Sequence, residues 1–165
     1  MKGKHNKFVV FLDIDGVLNT RRTVENTPKG CIGIDDTRVA ILANAIKKYG
    51  GADIVLTSDW KDLGEDDEDY LYLFSKLNKE GLTVSGKTID DKNNRGVGVC
   101  EYLREHPEIE EYVILDDNIF DFRDFRKLWE RLIITYGIEN PIFASRVPTV
   151  ETIIFMDYLK LIEGV

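Results

Sequence analysis

The sequence predicts an α/β fold built on a mainly parallel sheet with helices on both faces. Apolar runs of strand length alternate along the chain with segments of helical periodicity. The first run, "FVVFL", is apolar at every position, as a strand covered on both faces must be. Three of the runs end in polar residues, Asp13/Asp15, Thr57/Ser58 and Asp116/Asp117. Ligands of open α/β sheets bind beyond the carboxyl ends of the strands, so these tips should converge on one site.

Residues 7–12 form the first expected strand, and residues 19–33, with Pro28, Gly30 and Gly33, read as loop. Asp35 or Asp36 can cap a helix whose apolar positions are Val39, Leu42, Ala43 and Ile46, closed by Gly50-Gly51. "ADIVLTS" is a second buried strand. The run "EDDED" (65–69) reads as a solvated helix start, followed by an amphipathic helix over 70–79 and a short strand over 82–86. A helix over 94–106 stops at Pro107, and "EYVILDDN" is a strand with acids at its end. A helix over 122–130, a strand over 131–135 and a last helix capped by Thr149 complete the pattern. The aromatic string Phe120, Phe122, Phe125 and Trp129 reads as core packing.

A length of 165 residues, 43% hydrophobic and 32% charged, suits one soluble globular domain spanning 1–165. The formal net charge of −8 disfavours nonspecific binding to a nucleic-acid backbone, but not capture of a nucleic-acid end in a local pocket. Cys31 and Cys100 lie in no metal-ligand spacing and read as reduced thiols of a cytoplasmic protein. The N-terminus lacks an export signal, and no stretch approaches membrane-spanning length.

Asp13 and Asp15 share one face of an extended segment, and Gly16 lets the chain turn sharply after them. One such carboxylate can act as nucleophile and the other as proton donor and acceptor. Asp-x-Asp-Gly is also ordinary turn chemistry, so the pair alone decides nothing. Asp116 and Asp117 at a second strand tip change the balance, because that many acids at one edge need a divalent cation. Oxygen-only ligands point to Mg2+. Thr57 and Ser58 offer hydroxyls for phosphate oxygens. Lys92 and Arg95, ahead of a helix, offer a cation for a phosphoryl group. Trp60 is a candidate pocket wall, with core packing the more common fate; His5 and His106 look uninvolved.

In this order, "DIDGV", "VLTS", Lys92 or Arg95, and "VILDD" resemble the four motifs of the haloacid-dehalogenase (HAD) superfamily of phosphohydrolases. The resemblance covers about residues 8–118. "FLDIDGVLN", "SDWK" and "RGVGVCEYL" look like a small branch related to the HAD domains of RNA-repair proteins. The resemblance implies a Rossmann-like three-layer α/β/α sandwich. It implies that Asp13 attacks phosphorus to form an aspartyl-phosphate and that Asp15 is general acid and base. Mg2+ is then held by Asp13, the backbone carbonyl of Asp15 and Asp116, with Asp117 near or sharing the role; Asp121 is the rival in the fourth motif. Thr57 orients the phosphoryl oxygens, with Ser58 as rival, and Arg95 neutralises charge, with Lys92 as the alternative. Gly16, Ser58, Lys92, Arg21 and Arg22 make up the candidate substrate contacts, and Lys29 is a further cation on the first loop.

The connections leave no room for a large cap domain, so an open site is expected. Open sites suit a protruding phosphate, such as a nucleic-acid end. A small-molecule phosphatase such as a 5′-nucleotidase and a non-catalytic Mg2+ and phosphate-binding module are the competing readings. A receiver domain fits less well, because the adjacent acid pair comes late in the chain. The oligomeric state is not legible in the sequence.

Overall fold

A computed structural model describes residues 8–90 and 93–161. Strand β1 (Phe8–Leu12) lies between β2 (Asp53–Leu56) and β4 (Glu111–Asp116). Beyond β2 lies β3 (Val84–Lys87), and beyond β4 lie β5 (Leu132–Thr135) and β6 (Pro141–Phe143), giving the order β3-β2-β1-β4-β5-β6. All pairings are parallel except β5 with β6. The chain winds outward from β1 to β3, then crosses back to β4. The topological switch therefore falls between β1 and β4, where sheets of this kind open a crevice.

Alternation along β1 builds the core on both faces. Val10 and Leu12 pack with Leu42 and Ile46 of α1 (Asp36–Tyr49), Leu73 and Leu77 of α2 (Glu68–Asn78), and Phe155 and Leu159 of α5 (Val150–Lys160). Val9 and Phe11 pack on the other face with Val99 of α3 (Arg95–Glu105) and with Phe122 and Leu128. The result is the expected three-layer sandwich. No inserted cap domain interrupts it: residues 13–35 form a loop and α2 fills the connection from β2 to β3. Among the described residues no helix is long and apolar enough to cross a membrane.

Several boundaries differ from the sequence reading for identifiable reasons. The helix expected over 122–130 is broken into a 3-10 turn (Phe120–Phe122) and a single turn, α4 (Arg126–Trp129). Phe122 and Leu128 are both buried against the sheet. A continuous helix would point them about 120° apart, and the break lets both face the core. Of the aromatic string, Phe122 is buried, but Phe120 is 69% exposed. In α1, Ala45 rather than Ala43 is fully buried. Strand β6 was not legible: it is three residues long, starts with proline and lies at an edge.

The acidic run 65–69 is only partly solvated. Asp67 caps α2 and pairs with Lys29. Asp69 is buried, accepting from Thr27 Oγ1 at 2.9 Å and from the Lys29 amide at 3.1 Å. These bonds fasten the long first loop to α2. Asp69→Ala should strand both donors and cost about 1–3 kcal/mol. The check is a lower denaturation midpoint together with faster proteolytic nicking within residues 20–33.

Candidate active site

The parallel ladder runs past the strand ends. The Asp13 amide donates to Leu115 O and the Thr57 amide to Leu12 O, each at 3.0 Å. The register that pairs Leu12 with Leu56 and with Leu115 thus sets Asp13 beside both Thr57 and Asp116. Asp13 and Asp116 are buried at 1% and 0% exposure, while Asp117 is exposed. Carboxylate oxygens of these three residues lie within 4.8 Å of one another.

Arg95 is the counter-charge. Asn94 caps α3 through Val97 N, and the Asp121 carboxylate accepts from the Arg95 amide at 3.0 Å. The guanidinium reaches from there into the cluster. Its Nη1 lies 3.1 Å from Asp13 Oδ2 and 3.0 Å from both Asp116 oxygens. Asp121 therefore supports the helix start and stands outside the acid cluster. Burial pushes the Asp13 carboxyl well above the usual carboxylate range; Asp116 adds to this and Arg95 opposes it. Burial likewise raises Asp116 to about 6, with Arg95 opposing. Burial works against the charge on Arg95, but Asp116 and then Asp13 outweigh it and raise its pKa.

Gly16 adopts φ +87°, and a Cβ there would lie 2.2 Å from Asp117 Oδ2. The missing side chain is thus the space in which Asp117 reaches the cluster. The Gly16 carbonyl accepts from Gly137 N and Thr135 Oγ1, each at 2.8 Å, which ties the turn after β1 to the end of β5. Asp15 is exposed, and its carboxylate lies outside the three-acid group. Asn19 Nδ2 donates to its Oδ1 at 2.9 Å and Trp60 Nε1 to its Oδ2 at 3.2 Å.

Among the described residues two buried side-chain oxygens have no partner: Asp13 Oδ1 and Thr57 Oγ1. Buried polar atoms are nearly always bonded, so this pair marks a place for a ligand. Ser58 Oγ instead accepts from the Trp60 amide at 3.3 Å, capping a 3-10 turn (Asp59–Asp62). Lys92 lies outside the described residues. Arg21 and Arg22 are exposed. Arg22 lines an open groove of about 610 Å³ with Thr20, Thr23, Thr37 and Arg38. Lys29, the further cation on the first loop, is held by Asp67.

Sequence reasoning did not assign Asn19 or Lys61, and ranked Trp60 as packing. Asn19 and Trp60 stood inside the quoted segments "FLDIDGVLN" and "SDWK", but spacing does not show which side chains turn inward. Lys61 is buried, donating to Thr57 O at 3.3 Å and pairing with Asp90 at 3.0 Å. It ties the end of β2 to the segment after β3, and a buried lysine runs against the usual pattern.

The donor set of the cluster is all oxygen, which fits a hard divalent cation. The free Asp13 Oδ1 and the proximity of three carboxylates fit the same ligand. A family model described as the HAD domain in Swiss Army Knife RNA repair proteins matches residues 9–137, a span that includes every residue of this site. The chain belongs to that family, which is of the phosphohydrolase type. No curated protein and no solved structure matches it.

Two outcomes follow from the geometry. Gly16→Ala should drive Asp117 out of the cluster and weaken divalent-cation binding at least about tenfold; titration calorimetry against the unmodified protein checks this. Because folding raises the Asp13 and Asp116 carboxyls, their contribution to stability is present below the ordinary carboxylate range. It is lost as pH rises through the folded values, about 6 for Asp116. The metal-free melting temperature should therefore fall as pH rises from about 4, the ordinary carboxylate value, through about 6, the folded value of Asp116. Asp116→Asn or added Mg2+ should flatten that slope.

Proposed function

Starting from that family membership, we propose that the protein is a Mg2+-dependent phosphomonoesterase that works through an aspartyl-phosphate on Asp13. The observation that carries this reading is the pair of unpartnered buried oxygens, Asp13 Oδ1 and Thr57 Oγ1, on adjacent strand tips. Asp13 is the nucleophile. Thr57 donates to a phosphoryl oxygen, and Arg95, already between Asp13 and Asp116, neutralises charge as the phosphoryl group transfers. Asp15 gives its proton to the leaving oxygen, then takes one from the water that hydrolyses the intermediate. Asp13, Asp116, Asp117 and the backbone carbonyl of Asp15 would hold the cation. When bound, it supplies charge neutralisation and alignment.

The capless edge suits a phosphate at the end of a large substrate, and we read that substrate as a nucleic-acid end. The exposed Phe120 and Tyr136 stand on the turns after β4 and β5, at the same edge. Exposed aromatics of this kind can stack unpaired bases, and a chain of net charge −8 gains little from overall attraction to a phosphate backbone.

Phosphate release from p-nitrophenyl phosphate should require Mg2+, stop with chelator, and fall at least about a hundredfold in Asp13→Asn. Full activity in that variant would remove Asp13 as nucleophile. Among natural esters, oligonucleotides with a terminal 3′- or 5′-phosphate should exceed mononucleotides and sugar phosphates in kcat/KM. The reverse order would favour a small-molecule phosphatase. Thr57→Val should lower kcat about a hundredfold while leaving the melting temperature unchanged or higher, because it deletes a buried hydroxyl that has no partner.

A further inference from the structure

We infer that Trp60 and Asn19 are positioning residues that aim the acid/base carboxylate of Asp15 at the leaving-group oxygen. The inference rests on the phosphomonoesterase reading above and extends it to two residues to which that reading gives no role. Asp15 is exposed, and among the described residues no cap domain is inserted to cover it. An exposed carboxylate is free to rotate, and a proton donor a short distance out of line loses most of its effect. Here both oxygens are held from below. Trp60 Nε1 donates to one at 3.2 Å and Asn19 Nδ2 to the other at 2.9 Å.

Both supports are themselves fixed. Asn19 is 3% exposed; its Nδ2 also donates to Gly33 O at 2.8 Å, and its Oδ1 accepts from Gly16 N at 3.0 Å. Reversing the amide would set its oxygen against a carbonyl and a carboxylate, so only this orientation satisfies the network. Trp60 is 8% exposed, and its amide is bonded to Ser58 Oγ. Asp15 is thereby referenced to the strand tip that carries Thr57 and to the turn that carries Gly16. Each oxygen keeps a lone pair for the reaction. The proton passes from Asp15 to the leaving oxygen as the P–O bond breaks, and one returns from the water that attacks the aspartyl-phosphate.

The test is the dependence of kcat/KM on the leaving group, since kcat/KM reports phosphoenzyme formation alone. A p-nitrophenolate departs without a proton, whereas an alkoxide needs one. Trp60→Phe keeps most of the packing and removes the N–H. It should lower kcat/KM for alkyl phosphates and terminally phosphorylated oligonucleotides about tenfold or more, and for p-nitrophenyl phosphate less than about twofold. Asn19→Ser should act in the same sense and carries the test if Trp60→Phe does not fold. An equal loss on both substrate types, or no loss on either, would overturn the inference while leaving the phosphatase reading intact. An inactive unmodified protein, with magnesium bound and the oligonucleotide panel tried, would instead overturn the reading on which it rests.

Discussion

Asp13 and Asp116 are carboxylates buried side by side at the tips of adjacent strands, and the surrounding structure answers to that constraint. Burying unpaired charge is costly, and each acid raises the cost for the other. Arg95 meets part of the cost with a guanidinium nitrogen about equidistant from both. Its reach is set by where α3 begins, which the Asn94 cap and the Asp121 bond to the Arg95 amide fix. Gly16 vacates the volume that Asp117 enters. One oxygen of Asp13 and the Thr57 hydroxyl still lack partners. A fold optimised for stability alone would not keep them; a site that binds a cation and a phosphoryl group has a use for both.

Five of the six strands, the outer helices and the convergence of three polar strand tips were legible because they depend on local pattern. β1 is apolar throughout since both faces are covered, and α1 ends at a left-handed Gly50 as its sequence suggests. The adjacency of Asp13, Thr57 and Asp116 followed from parallel topology once strand ends were found. What could not be read depends on contacts distant in sequence. Asp69 is an acid in a charged run, and only the Thr27 loop folding onto it makes it a buried anchor. Trp60 looks like any core tryptophan until its indole N–H meets Asp15, forty-five residues earlier. Lys61 carries no signal of burial. The break between Phe122 and Arg126 comes from two side chains competing for the same face, which periodicity over so short a span does not resolve.

The same contacts explain how an open site stays ordered. The first loop is long and polar, yet Asp67 and Asp69 fasten its middle to α2. The pairing of Arg38 with Asp35 and Glu139 joins the start of α1 to the turn after β5. The Gly16 carbonyl binds the end of β5 directly. Order at the acid cluster is thus supplied from within the sandwich.

The central claim is that Asp13 carries the phosphoryl group, and the most direct measurement is to catch it there. Asp15→Asn should slow hydrolysis of the intermediate more than its formation from an aryl phosphate. Acid quenching of that variant with magnesium and p-nitrophenyl phosphate, followed by peptide mass spectrometry, should show one added phosphoryl group on the peptide containing Asp13. The double variant that also carries Asp13→Asn should show none. A phosphoryl group on another residue, or turnover by the unmodified protein with no adduct on Asp13 in the Asp15 variant, would contradict the account.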